Sequence, residues 1–158
     1  MIRIQNGCLL FGSASVCLPE GMALTCDPDP CMGWIGICNR CQFESPDGLY
    51  TLSYIGETEA ATAREELMFL FEDDGYKTLS DIRPCNRGGL AGYEVFYATE
   101  HDQFQHYEAR FDLPENRDGL VQLAVCLSLD RTQNPQADIF SVFASEDVQR
   151  ALAGVRSV

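Results

Sequence analysis

The sequence predicts an α+β domain of mostly antiparallel sheet, and three observations carry that expectation. Short runs alternate apolar and polar residues. One stretch, at about 60–74, switches to helical spacing. A second helical stretch, at about 135–155, comes only after the strands are complete. Strands, a helix, more strands and a closing helical segment fit α+β order rather than βαβ alternation.

The opening strand candidates are Ile2–Ile4, Cys8–Phe11 and Ala14–Leu18, with Pro19-Glu-Gly as a turn. Met22 to Cys41 reads as irregular, because Asp27-Pro-Asp-Pro and nearby glycines interrupt any period. Gln42–Ser45 and Leu49–Ile55 flank Pro46-Asp47-Gly48, a hairpin signature. In the 60–74 helix, Ala63, Leu67, Leu70 and Phe71 form the apolar stripe, while Glu66, Asp73 and Asp74 face water. Thr62 and Glu65 form a capping-box pattern, and Gly75 is placed to stop the helix.

Thr78–Arg83 then leads through Asn86-Arg-Gly-Gly to Leu90–Thr99. In Phe104–Leu113, Tyr107, Ala109, Phe111 and Leu113 share one face, with His106, Glu108, Arg110 and Asp112 on a face expected to meet solvent. Val121, Leu123, Val125, Leu127 and Leu129 alternate most cleanly, as suits an antiparallel strand with one covered face. Asn134-Pro135 reads as the cap and first-turn proline of a helix that turns Ile139, Val142 and Phe143 inward. Ser145 caps a second, with Val148, Leu152 and Val155 as its stripe.

The 158 residues suit one domain, 1–158, and nine Phe, six Tyr and one Trp supply a real core. The charge is lopsided, with 24 Asp and Glu against 11 Lys and Arg, a formal −13. Such a surface repels phosphate backbones and anionic membranes, so neither nucleic acid nor membrane is an expected partner. Basic protein partners remain compatible with that sign. No run approaches the roughly 20 apolar residues of a membrane helix, and no secretory signal is apparent, so a cytoplasmic location is expected. In that compartment eight cysteines read as thiols or metal ligands rather than disulfides. Monomer and homodimer are equally compatible with the pattern.

The order of elements resembles the PsbP-like superfamily of α/β/α sandwiches. That superfamily includes the extrinsic photosystem protein, a Ran-binding nuclear-import factor and bacterial DcrB-type proteins. The resemblance rests on the Val16-Cys-Leu-Pro-Glu-Gly-Met turn, the Pro46-Asp-Gly-Leu-Tyr hairpin and the helix starting near residue 60. Gly88-Gly-Leu-Ala-Gly-Tyr-Glu leading a β-meander and the final helix complete it. It implies architecture and a non-catalytic binding or accessory role with a protein partner, and it supplies no site residues.

The chemically suggestive feature is Cys-x4-Cys-x6-Cys-x2-Cys: Cys26, Cys31, Cys38 and Cys41. Four thiolates on a Gly- and Pro-containing loop are able to surround zinc, and Cys38-Asn-Arg-Cys41 has knuckle spacing. Small semi-buried thiols are the alternative. A thiol-redox role for the Cys38/Cys41 pair would need Cys38 at a helix N-terminus, and a strand candidate follows instead. Cys8, Cys17 and Cys126 read as core fillers in apolar strands, Cys85 as isolated, and His101 and His106 as solvated. Gly-x-Ser-x-Gly, His-Glu-x-x-His and the phosphate-loop signature are absent. Gly88, Gly89 and Gly92 precede a strand, which suits a tight hairpin with a bulge rather than a phosphate cradle. These readings point away from an enzyme and toward an interaction domain, with a four-cysteine zinc module and a Cys-x-x-Cys redox protein as the alternatives.

Overall fold

The computed structural model describes residues 3–26, 30–33, 36–58, 61–72, 75–99 and 101–158. Its strands are β1 (Arg3–Gln5), β2 (Cys8–Phe11), β3 (Ala14–Cys17), β4 (Ala23–Cys26), β5 (Pro30–Gly33), β6 (Gly36–Glu44) and β7 (Tyr50–Glu57). They continue as β8 (Tyr76–Thr78), β9 (Arg83–Arg87), β10 (Leu90–Thr99), β11 (Phe104–Asp112), β12 (Gln122–Asp130) and β13 (Val155–Ser157). The helices are α1 (Ala63–Phe69), α2 (Ile139–Phe143) and α3 (Glu146–Ala153). Mostly antiparallel sheet with few helices is the α+β class that the alternation predicts.

In the large sheet β4, β6, β7, β12, β11, β10 and β8 lie side by side, with β5 paired to β6 and β9 to β10. β12 is central: Val125 stands opposite both Tyr54 of β7 and Ala109 of β11. Its inward set of Leu123, Val125, Leu127 and Leu129 is fully buried, each side chain contributing roughly 1.5–3 kcal/mol. Val121 falls outside the strand and is 40% exposed, so the alternating run starts one residue later than its pattern suggests.

A small sheet, β1-β2-β3-β13, packs on that inward face. It supplies Leu9, Phe11 and Val16 to the core, and α2 and α3 add Ile139, Val142, Val148 and Leu152. Strands far apart in sequence meet here, since β13 pairs with β3. On the opposite face of the large sheet α1 lays Leu67 onto Val95 and Tyr97, with Leu70, Phe71, Ile82 and Tyr93 around them.

The segment from Met22 to Cys41 is not irregular: β4, β5 and the start of β6 occupy it, with β5 and β6 closing a hairpin in which Gly33 faces Gly36. The glycines read there as interruptions stand at the hairpin end, a place where such residues are common. Thr78–Arg83 is not a strand: only its end residues are, Thr78 closing β8 and Arg83 opening β9, with both strands on the same edge of β10. Leu79 and Ser80 lie between them and donate to the Phe96 carbonyl.

The helices are shorter than their stripes. Thr62 caps α1 by accepting from the Glu65 amide at 3.3 Å, as expected, but the reciprocal carboxylate is that of Glu66, which accepts from the Ala61 amide at 3.0 Å. α1 stops at Phe69, and the chain tightens into bonds from Phe71 to Met68 and from Glu72 to Phe69, well before Gly75. Asp73 and Asp74, expected on the wet face of this helix, lie outside the described residues. α2 starts at Ile139 under an Asp138 cap, not at Asn134-Pro135. The cause is Arg131, which donates to the carbonyls of Pro135 and Ala137 at 2.9 and 2.8 Å and so holds 135–137 outside the helix. Val155 leaves α3 for β13.

Gly88 and Gly92 are held by close backbone contacts. At Gly88 the φ of +55° combines with the Arg156 Cα only 2.6 Å from where a Cβ would sit. The turn it forms with Gly89 is the tight hairpin expected between β9 and β10. At Gly92 a Cβ would lie 2.0 Å from the Arg110 carbonyl oxygen. Gly75 has open space around it and an ordinary φ. We expect Gly92→Ala to lower urea-unfolding stability by about 1–3 kcal/mol, while Gly75→Ala leaves it unchanged or raises it by about 0.4–1 kcal/mol. Equal effects at the two positions would contradict this packing.

Candidate functional site

The four candidate zinc ligands divide by location. Cys41 is fully buried on the inward face of β6, opposite Tyr54. The side chains of Cys26, Cys31 and Cys38 lie outside the described residues; by backbone register Cys31 stands opposite Cys38. The Cys38-Asn-Arg-Cys41 backbone runs within β6 rather than round a turn. Among the described residues no three of His, Cys, Asp and Glu gather as a metal site, and no helix is long and apolar enough to cross a membrane.

The face of β11 expected to be wet is in fact the most interconnected polar region. Glu108 is only 4% exposed. One of its carboxylate oxygens accepts from the Tyr97 hydroxyl at 3.0 Å and the other from Arg110 Nε at 2.6 Å. Arg110 also donates to Glu57 and to the Gln122 amide oxygen, at 3.1 and 2.8 Å. Gln122 in turn donates to the Ala61 carbonyl at 2.9 Å, and Asp112 accepts from the Ala63 amide at 2.9 Å. Burial disfavours the Arg110 charge, but Glu108 and Glu57 outweigh it and push its pKa up. Tyr97 is pushed up by burial first and by Glu108 second.

His106 is not solvated. Its ring stacks on Tyr97 at 4.8 Å, Tyr76 meets it edge-on, and Nδ1 lies 2.9 Å from the Ser128 hydroxyl. Burial lowers its pKa, with Glu108 opposing. Cys126 lies opposite Glu108 and is half-buried, so it fills this polar layer rather than the core. Burial, then Glu108, raises its thiol pKa well above the ordinary value. A thiol held protonated beside a carboxylate is a poor nucleophile. Cys85 is similar: burial and Glu94 push it up to about 11. His101 is exposed in its turn, as expected.

A groove of about 530 Å³ opens on the other side of the molecule, between the β6–β7 turn and the α2–α3 corner. Its floor is apolar: Pro46, Leu49 and Tyr50 from the turn, Ala137 and Val142 from the α2 side. Asp47, Asp138 and Asp147 rim it, and none of its lining residues is basic. Each carboxylate has a local reason to be where it is. Asp47 accepts from the Ser45 hydroxyl and the Leu49 amide, at 2.7 and 3.1 Å, which closes the turn. Asp138 caps α2 through the Ser141 amide and hydroxyl. Asp147 occupies the first turn of α3, where the helix dipole favours a negative charge. These hydrogen bonds hold Asp47 and Asp138 below the usual carboxylate range. Burial raises Tyr50, and Asp147 and Asp47 add to it, so the phenol stays neutral among carboxylates. A second hollow of about 370 Å³ on the far side of the same turn adds Asp130.

Local sequence signals located the turn and the caps but not the groove. Pro46-Asp47-Gly48 and Ser145 are visible as such signals, whereas their approach depends on packing between residues about a hundred positions apart. No protein-family model matches the chain, and no curated protein matches it.

Removing the Arg110 charge would strand Glu108. Arg110→Met is expected to cost about 3–5 kcal/mol, and adding Glu108→Gln to recover part of it; a purely additive double variant would show that the pair is uncoupled. His106 supplies a pH signature. Its pKa is lowered in the folded state, so the unfolded chain takes up the proton first and stability falls as pH drops below the ordinary histidine value near 6.5. Unfolding curves should therefore show wild type losing stability relative to His106→Phe as pH falls through that value, with Glu108, Tyr97, Tyr76 and Ser128 still around the site. Parallel curves would contradict a buried neutral imidazole.

Proposed function

We propose that this protein is a non-catalytic interaction domain that takes a basic segment of a partner protein into the groove between the β6–β7 turn and the α2–α3 corner. The observation that carries the reading is the groove's composition: an apolar floor, three aspartates on its rim and no basic side chain in its lining. A lysine or arginine side chain matches it atom class by atom class. The methylene stem lies on Pro46, Leu49 and Val142, and the cationic head reaches Asp47, Asp138 or Asp147. The Tyr50 ring adds a face suited to a cation. The surplus of acid over base across the whole chain draws such a partner in and turns away nucleic acid and anionic membranes.

The same reading extends to architecture, as a variant of the PsbP-like α/β/α sandwich. What supports it is the order strands, α1, meander, α2–α3, with α1 on one face of the large sheet and α2–α3 on the other. The small sheet shares the second layer, an addition to that plan. A non-catalytic role also agrees with thiols at Cys126 and Cys85 that burial keeps protonated.

A short fluorescently labelled peptide alternating lysine and leucine tests the proposal by anisotropy. Binding should weaken steeply with added salt, and Asp147→Lys should reduce affinity about tenfold or more. Asp147 is a suitable position because its side chain is 63% exposed, closes no turn and pairs loosely, at 3.7 Å, with the exposed Arg150 one turn along α3. Equal binding of a glutamate-for-lysine peptide, or wild-type affinity in Asp147→Lys, would overturn the assignment.

A further inference from the structure

The small sheet carries a second feature, unrelated to the groove. Cys8 on β2 and Cys17 on β3 stand directly opposite each other, with their sulfurs 3.5 Å apart. The hydrogen bonding of the hairpin defines what kind of pair this is. The Leu18 amide donates to the Gly7 carbonyl, one position beyond the cysteines, and the Cys17 amide points away, to Gly154. Cys8 and Cys17 are thus a non-hydrogen-bonded pair. In antiparallel sheet such a pair brings the α-carbons to about 4.5 Å and the side chains closest together. That separation falls within the range of about 4.4–6.8 Å that a disulfide spans, so closing one asks no large movement of the strands.

The pair also faces the right way. Leu9, Phe11, Ala14 and Val16 turn into the core, which leaves both cysteines half-buried on the outer face of the small sheet. Arg156, exposed on the neighbouring β13, donates to the Cys17 sulfur at 3.6 Å. A shallow hollow of about 130 Å³ lies beside Cys17, with Pro19, Glu20, Asp147 and Arg150 in its lining.

We propose that Cys8 and Cys17 are a thiol–disulfide switch, closed by exchange with a small disulfide of the glutathione class. The Cys8 thiolate attacks one sulfur of the reagent, forming a mixed disulfide and releasing the first small thiol, which takes up a proton. Cys17 then loses its proton and attacks the Cys8 sulfur, expelling the second small thiol. Two protein thiols and one small disulfide become one protein disulfide and two small thiols, with two electrons and two protons passing to the reagent. The same products follow with the roles of the two cysteines exchanged, since either sulfur can be the donor in their contact and Arg156 lies against Cys17. Closure cross-links the hairpin while the Cys17 sulfur stays beside Arg156.

The test is exposure of the purified protein to oxidised glutathione, followed by intact-mass measurement and peptide mapping with cleavage after Phe11, between the two cysteines. The expected result is a loss of two hydrogens, a Cys8–Cys17 cross-link and reversal by dithiothreitol. Cys17→Ser should stop at a glutathione adduct on Cys8. A cross-link confined to any other cysteines, a chain that stays fully reduced, or Cys17→Ser forming a disulfide as readily as wild type would each overturn the proposal. The wild-type map decides the matter even where a serine variant folds poorly.

Discussion

The charged pair Glu108–Arg110 is the constraint on which the layering depends. An arginine 12% exposed on its side chain beside a carboxylate at 5% is stable there only with nearly every lone pair and proton satisfied. Satisfying them recruits Tyr97 from β10, Glu57 from β7 and Gln122 from β12, so four adjacent strands are held in one register. Gln122 and Asp112 then pass the network to the backbone at Ala61 and Ala63, which places the start of α1 on the sheet. An apolar pattern alone would let α1 slide along its stripe; the directional bonds give it one position.

The two faces of the large sheet differ in what dominates. On the inward face most contact is apolar, with Tyr54, Leu127, Phe111 and the small sheet interlocking, while Glu94 pairs with Arg87 at 3.7 Å and accepts from the Tyr107 hydroxyl at 2.6 Å. That rigid, mostly apolar side carries the α2–α3 corner and holds it near the β6–β7 turn, which is what makes a groove there. Arg131 completes the arrangement. By taking the Asp102 carboxylate at 2.7 Å and the carbonyls of 135 and 137, it delays α2 until Asp138 and so puts that cap on the groove rim. The acidic rim is thus a by-product of local closure, with each carboxylate already engaged in a turn or cap or set in a first helical turn. Their combined field is what a basic partner would meet.

Local patterns were legible where one nearby bond or one periodicity decides the outcome. The Leu123–Leu129 alternation, the Thr62 and Ser145 caps, the Pro46-Asp47-Gly48 turn and the tight Gly88-Gly89 hairpin could be read directly. Errors came where a distant residue overrode the local signal. Arg131 cancelled the Asn134-Pro135 start, the small sheet drew Val155 out of α3, and the Phe96 carbonyl, taking both the Leu79 and Ser80 amides, interrupts the strand expected over 78–83. His106, Glu108 and Arg110 read as a solvent face because polar residues usually are; instead Glu108 and Arg110 bond each other and their neighbours, and Tyr97, Tyr76 and Ser128 cover His106.

The sequence by itself determined the α+β class, the antiparallel core strands and the acidic charge, because each follows from composition or from a period of two or 3.6. Tertiary structure alone decided where the acid goes and which side chains meet. The groove joins residue 47 to residue 147, and the cysteine pair depends on which carbonyl the Leu18 amide finds. Those contacts depend on strand order and register, which many local patterns share and only the packed chain selects.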